Sequence, residues 1–219
     1  MSDQHPAAVQ DSPHFTDEED RTYVGERLVF FSDAVIAIAM TLLALELPVP
    51  HGEDNAEVWH SFVELLPNEY LNFVISFAVI GVFWLAHHEF FRKIHAVDAP
   101  LRRLNLGWLF FIVLMPFATR VNSDDDDFVL GPVLYASVFT VTALFMILMG
   151  RHSIRAGLLR PTVPTTALRP LFVGAGVAGV VFLVSIPVSV VSPTWGKLVW
   201  ILTILTRPVS RWVDRRADR

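Results

Sequence analysis

Cysteine is absent from this chain of 219 residues, and charged side chains are scarce. The missing thiols exclude disulfide bonds and thiolate metal sites. Asp, Glu, Lys and Arg together make up 18% of the sequence, whereas soluble domains usually hold about 25%. Hydrophobic residues make up 53%, and the mean hydropathy is +0.48. These values predict a polytopic membrane protein rather than a soluble domain.

The amino-terminal segment lacks the pattern of a secretory signal. Residues 1–26 are polar and acidic, and they contain no basic stretch followed by an apolar core. We predict an acidic cytoplasmic tail at 1–26, a six-helix transmembrane domain at 27–213 and a basic cytoplasmic tail at 214–219.

The apolar stretches predict an all-α fold with six membrane spans. A hydrocarbon core of about 30 Å requires about 20 apolar residues in a helix. The sixth stretch is the weakest, because only KLVWILTILT is continuously apolar and Pro208 follows it. The predicted spans are 28–47, 69–91, 104–121, 128–149, 170–192 and 195–213.

Basic residues support the count of six. They are frequent in segments 91–103 and 150–169 and in the C-terminal tail, whereas loop 48–68 has no Lys or Arg. With six spans, all three basic segments lie on one side of the membrane, and the positive-inside rule makes that side the cytoplasm. Both termini are then cytoplasmic. With five spans the Arg-rich C-terminus would lie outside, against the rule.

Acidic residues occupy the loops on the other side. Glu53, Asp54, Glu57 and Glu64 lie between the first two spans, and SDDDD (123–127) follows the third. One interpretation is that these loops are solvated connectors. The other is an anionic vestibule that raises the local concentration of cations. A calcium site is disfavoured, because SDDDD lacks the spaced ligands and the glycine of a calcium loop.

The segment HHEFFRKIH ends the second span and contains His87, His88 and His95. Adjacent histidines on a helix point about 100° apart, so they do not readily share a metal ion. We predict a structural hydrogen-bond network that involves Trp84, His87 and His88. A pH-responsive role and, less favoured, a metal site are the alternatives.

No motif in the chain indicates catalysis. GAGVAG (174–179) formally matches a dinucleotide-binding pattern, but it lies inside the fifth span, where small residues let helices approach closely. There is no nucleophile–base–acid set and no phosphate loop. We expect no enzyme activity, no cofactor, no resident metal and no nucleic-acid partner.

The first span carries polar residues that a simple anchor does not need. An acid in a membrane segment is costly and usually functional. At about 100° per residue, Asp33 and Ser32 point away from the stripe that is centred on Ile38. We therefore predict that Asp33 pairs across a helix or subunit contact with a basic residue or a histidine. The stripe comprises Phe31, Ala34, Val35, Ile38, Thr41, Leu42 and Leu45.

Several segments resemble one known family. RLVFFSD fits the pattern Arg-x-x-x-Phe-Ser-Asp, and AVIAIAMTLLALEL follows it. SFAVIGVFWLAHHEFF and LNLGWLFFIVLMPFAT are similar to the second and third helices of the same family. The family is that of transmembrane protein 175, whose members are potassium channels of lysosomes and prokaryotes. The resemblance covers roughly residues 24–213.

The resemblance implies a homotetramer in a prokaryotic plasma membrane, with the first helix of each subunit lining a central potassium-selective pore. Ile38 would form the hydrophobic constriction, Leu42 and Leu45 further apolar rings, and the Thr41 hydroxyl would assist selection. No metal ion is expected to bind other than the potassium ions that pass through the pore. Glu46 would lie at the outer mouth and, being acidic, attract monovalent cations. The residues that would fix the pore helix against its neighbours are Arg27, Phe31, Ser32 and Asp33.

A proton-coupled secondary transporter is the alternative function. Asp33 or His87 would then carry the proton, since intramembrane acids and histidines suit proton relays. The sequence shows no inverted repeat within the six spans and no broken helix that would mark a midplane site. These observations favour the channel.

Overall fold

The computed structural model describes residues 17–123 and 129–191 of the chain. A turn of π-helix, Leu66–Tyr70, joins the second helix to the third, and a short 3-10 turn, Thr165–Leu168, precedes the sixth. The helices are α1 (Asp17–Leu45), α2 (Asn55–Leu65), α3 (Leu71–Phe91), α4 (Ala99–Ser123), α5 (Leu130–Arg155) and α6 (Arg169–Val191).

Five helices are long and apolar enough to cross a membrane, which confirms the first five predicted spans within the described residues. The sixth predicted span, 195–213, and the tail 214–219 lie outside them. The fourth predicted span ends too early, because α5 continues to Arg155. The predicted tail boundary at residue 26 falls inside α1, since this helix begins at Asp17.

The segment between α1 and α3 contains a helix, although its sequence predicted only a loop. Helix α2 has 11 residues, which is too few to span a membrane. Asp54 caps it, because one of its carboxylate oxygens accepts hydrogen bonds from the N–H groups of Ala56 (2.8 Å) and Glu57 (2.9 Å). The Glu57 carboxylate in turn accepts from the Glu53 N–H at 2.8 Å. The Asp54 bonds are those of an N-cap, and the Glu57 bond fixes the residue that precedes the cap.

Helix α4 lies at the centre of the bundle and packs against α1, α3 and α5, while α6 packs on α5. Large side chains fill the space between α5 and α6. The Phe139 ring stacks on Tyr135 with centroids 4.3 Å apart and on Phe182 at 4.9 Å. All three residues are buried.

Glycines permit close packing at some helix contacts but not at others. A Cβ added at Gly131 would lie 2.6 Å from the carbonyl oxygen of Val121, so α4 and α5 approach closely there. The packing predicted for GAGVAG fits Gly179, whose added Cβ would lie 3.4 Å from Ala143. Within the part of the chain that the structure describes, no neighbouring side chain or other helix lies within 4 Å of a Cβ added at Gly174 or Gly176, so these two glycines permit no close contact there.

Loops 92–98 and 156–164 lie at the same end of the bundle, which we call the basic end. They are joined by hydrogen bonds to main-chain carbonyls. The Arg160 N–H donates to the Lys93 carbonyl at 2.9 Å, and the Arg160 Nε donates to the Arg92 carbonyl at 3.0 Å. The loop between α3 and α4 is therefore fixed to the loop between α5 and α6.

Asp98 connects two helices at the basic end. Its carboxylate accepts the N–H of Leu101 at 2.8 Å, which caps α4, and lies 2.8 Å from Nε2 of His152 on α5. Partial burial acts to raise the pKa of Asp98, but the hydrogen bonds from Leu101 and His152 outweigh it and lower the pKa below its ordinary value.

Candidate functional site

Helix α1 has one packed face and one open face. Ile36, Ala39 and Leu43 are almost fully buried against α3 and α4. On the other side, Ile38 is 59% exposed and Leu45 is 79% exposed. The open face contains Phe31, Ala34, Ile38, Thr41, Leu42 and Leu45. These are the residues of the predicted stripe except Val35, which is half-buried.

Thr41 is the polar residue within this open face. Its hydroxyl donates to the carbonyl of Ile38 at 2.8 Å. This bond satisfies the donor within the helix, and the lone pairs of the hydroxyl oxygen are left to accept from water or to contact a cation. A polar residue beside Ile38 is therefore compatible with an otherwise apolar surface.

The packed face of α1 is held by a buried polar network. The Asn105 Nδ2 donates to the Ser32 Oγ at 2.9 Å, and the Ser32 hydroxyl donates to the Leu28 carbonyl at 2.8 Å. The Asn105 Oδ1 lies 2.8 Å from Nε2 of His87. Because this oxygen can only accept, His87 carries its proton on Nε2. Three helices, α1, α3 and α4, meet in this network.

Aromatic packing fixes the orientation of His87. Its ring stacks on Trp108 with centroids 4.6 Å apart and an interplanar angle of 13°. The predicted structural network around His87 agrees with this geometry, but its central residue, Asn105, was not anticipated. A single Asn within an apolar span is the sequence feature that could have identified it.

Asp33 pairs with a residue of a different type from the one predicted. The Trp84 indole donates to the Asp33 carboxylate at 2.9 Å, across the contact between α1 and α3. Arg27 lies six residues earlier and so about 120° around the helix from Asp33. His87 points to Asn105, whereas the His88 ring lies 5.9 Å from that of Trp84. The predicted pairing across a helix contact is therefore observed, but with Trp84 rather than a basic residue or a histidine, and a basic or histidine partner across a subunit contact stays a prediction.

Glu46, predicted to attract cations at the outer mouth, forms an ion pair with Arg120 of α4. Its negative charge is balanced by a neighbouring positive charge, so the residue is not an isolated anion. The pair joins the ends of α1 and α4 that lie opposite the basic end. Glu46 therefore has a structural contact that sequence reasoning did not anticipate.

The polar clusters do not form a resident metal site within the part of the chain that the structure describes. No group of three or more His, Cys, Asp or Glu side chains is arranged to hold an ion there. Of the acidic run SDDDD, only Ser123 belongs to the described residues. Its hydroxyl accepts from the Asn72 Nδ2 at 3.1 Å.

Comparisons with known proteins agree with the sequence resemblance. Residues 27–116 match the model of a family described as the endosomal/lysosomal potassium channel TMEM175. A protein of Streptomyces collinus named a potassium channel is 34% identical over 148 residues, which cover 65% of this chain and 71% of that protein. A Danio rerio protein named the endosomal/lysosomal proton channel TMEM175 is 28% identical over 130 residues, 58% of this chain and 25% of its own.

A solved structure shares the arrangement of helices. The crystal structure of a lysosomal potassium-selective channel TMEM175 homolog from Chamaesiphon minutus superimposes with a TM-score of 0.72. The sequence identity is 26%, and the match covers 86% of this chain and 98% of that one. The motif at residues 27–33 of α1, the helical fold and the extent of the Streptomyces match lead to one conclusion: this chain belongs to the TMEM175 family of channels.

Proposed function

We propose that this chain is the subunit of a homotetrameric, potassium-permeable channel whose pore is lined by α1. The family membership and the name of the Streptomyces relative support potassium as the permeating ion. One chain supplies only one copy of the open α1 face, so a closed pore needs several copies around an axis.

The open face of α1 is the observation that carries the proposal. Ile38 and Leu45 are exposed, although the opposite side of the same helix is packed against α3 and α4. A helix used only to anchor the protein in lipid would not need Ser32 to be tied to Asn105. The buried network holds α1 at a defined rotation, which is what a pore-lining helix requires.

Ile38 would form the narrowest ring of the pore. Aliphatic side chains offer no carbonyl cage to replace hydration water, so a hydrated or partly hydrated ion must pass while the ring is wet. When the ring narrows, it loses water and stops conduction without a moving plug. Potassium is favoured over sodium because its dehydration costs less. Thr41, one turn away, would offer its hydroxyl oxygen to the passing ion.

The substitution Ile38→Asn tests the constriction. An amide would hydrate the ring, so we expect the permeability ratio of potassium to sodium to fall toward unity. Purified protein in planar bilayers, with KCl on one side and NaCl on the other, gives this ratio from the reversal potential. Val180→Asn is the matched control, because Val180 on α6 has the same 59% exposure as Ile38.

Unchanged reversal potentials in Ile38→Asn would remove Ile38 from the filter. A shift of equal size in Val180→Asn would show that any exposed amide disturbs the protein. If the purified protein contains only one or two copies by light scattering, the four-fold arrangement is wrong. A saturable ion flux without single-channel current steps would favour the transporter.

Proton conduction is a second candidate, and the name of the Danio rerio relative favours it. Recordings in the same bilayers distinguish whether potassium or protons permeate. With equal potassium on both sides and a pH gradient, a potassium pore reverses at zero voltage. A proton pore reverses at a voltage that follows the pH difference.

A further inference from the structure

A groove of about 510 Å³ runs between α3 and α6 and is open on one side. This volume falls in the range of about 300–1,000 Å³ that is usual for ligand sites. Both helices are candidate membrane spans, so the groove lies within the thickness of the hydrocarbon core. Its walls are apolar and include Ala78, Val82 and Leu85 of α3 and Leu171, Ala175 and Ala178 of α6.

One end of the groove is cationic. Lys93 and Glu89 are the charged residues that line it. The Lys93 Nζ lies 3.1 Å from Glu89 and donates to the Ala167 carbonyl at 3.1 Å. Arg92 also pairs with Glu89 at 3.2 Å, so two cations share one carboxylate and one net positive charge remains. Exposed Arg160 is hydrogen-bonded to the adjacent loop, and exposed Arg169 begins α6 beside the groove.

We propose that this groove binds an anionic phospholipid. An acyl chain would lie against the apolar walls, and the phosphate would lie at the basic end, near Lys93 and Arg169. Basic pockets between membrane helices are known to take anionic lipid headgroups, and each basic residue near an anionic surface contributes about 1 kcal/mol. This site is separate from the open face of α1 and does not depend on the identity of the permeating ion.

Charge distinguishes the lipid from two other occupants. Residues 192–219 of the same chain include Arg207, Arg211, Arg215 and Arg216, which would bring like charge to a basic site. A second copy of the chain would bring the same basic loops. A phosphate group is the complementary partner.

The groove and α1 contact different faces of α3. Gly81 and Trp84 face α1, whereas the residues that line the groove lie on another side of the helix.

Two glycines of α6 provide a matched test. Gly174 lines the groove and Gly176 does not, yet an added Cβ would have no neighbour within 4 Å at either position. We expect Gly174→Phe to fill the groove and Gly176→Phe to leave it open. The full-length protein is purified from liposomes of phosphatidylcholine with phosphatidylglycerol, and the lipids that remain bound are counted by native mass spectrometry.

The unsubstituted protein and Gly176→Phe should retain phosphatidylglycerol in preference to phosphatidylcholine, and Gly174→Phe should lose it. Arg169→Gln should reduce the preference for phosphatidylglycerol about fivefold, because one basic contact to the headgroup is lost. Arg103→Gln, on α4 and outside the groove, should not change it. Equal retention by both glycine variants, or equal binding of the two lipids by the unsubstituted protein, would overturn the proposal.

A cysteine introduced into the groove tests the other occupants, since the natural chain has none. With Ala178→Cys, a bifunctional reagent should form no cross-link to residues 192–219 or to a second copy. A cross-link to either, identified by peptide mass spectrometry, would mean that protein covers the groove and would also overturn the lipid assignment.

Discussion

Asn105 forms hydrogen bonds with two other buried polar side chains at once. Ser32, His87 and Asn105 are all fully buried, and each belongs to a different helix. Within a membrane protein, an interhelical hydrogen bond contributes about 0.6–2 kcal/mol. Removing a shared partner costs more, since two groups lose their bonds together.

We expect Asn105→Leu to lower the stability of the folded protein by about 1–3 kcal/mol, because Ser32 and His87 would lose a partner. The measurement is the midpoint of thermal unfolding in detergent, followed by size-exclusion chromatography. Thr142→Val is the matched control: Thr142 is also fully buried, but its hydroxyl bonds only to Val138 of its own helix.

The control should change the midpoint much less than Asn105→Leu does. Equal midpoints for Asn105→Leu and the unsubstituted protein would mean that the network does not hold α1 in place.

The least predictable feature of the site was which side chains pair with each other. A helical wheel gives the direction of Asp33 relative to Ile38, and both directions agree with the structure. The wheel does not give the rotation of α3 relative to α1, and this rotation decides that Trp84, not a basic residue, faces Asp33. Arg120 and Glu46 are 74 positions apart in sequence, and no local pattern joins them.

The long helices were predictable because their apolar stretches match the thickness of a bilayer. Helix α2 was missed, although Asp54 and Glu57 have the spacing of a capping box. An 11-residue helix is too short to contain the long apolar stretch that indicates a membrane span. The packed and open faces of α1 are both apolar, so hydrophobicity alone did not separate them; the placement of Ser32 did.

The contact between α4 and α5 depends on the missing side chain of Gly131. An added methyl group would lie 2.6 Å from a backbone oxygen, and backbone cannot rotate aside as a side chain does. We expect Gly131→Ala to destabilise the protein by about 1–3 kcal/mol, which is typical of overpacking. Gly176→Ala, which enters open space, should be neutral or slightly stabilising.

Thermal unfolding of the two alanine variants, measured side by side, checks this prediction. If Gly131→Ala is as stable as Gly176→Ala, the two helices can separate at no cost, and the close approach does not hold the bundle together.

The distribution of charge predicts how the whole molecule is oriented in the membrane. Loops 92–98 and 156–164 lie together at the basic end, as expected if both face the cytoplasm. Helix α2 lies on the opposite side of the first span, in a segment without Lys or Arg. The absence of cysteine from the natural sequence allows both sides to be labelled selectively.

We expect Ala56→Cys, in α2, to react with a membrane-impermeant maleimide in intact cells. Ala156→Cys, at the basic end, should react only after the membrane is permeabilised. Both alanines are exposed, so accessibility within the fold is matched. The opposite pattern would invert the orientation, and labelling of both positions in intact cells would point to mixed insertion.

The fixed connection between loops 92–98 and 156–164 has a mechanical consequence. Arg160 is hydrogen-bonded to the carbonyls of Lys93 and Arg92, so the α3–α4 and α5–α6 hairpins are joined to each other at that end. Tilting of the hairpins would therefore be larger at the far end, where Glu46 holds α1 to Arg120. In the proposed tetramer, the width of the pore at α1 would therefore change mainly through movement at this far end.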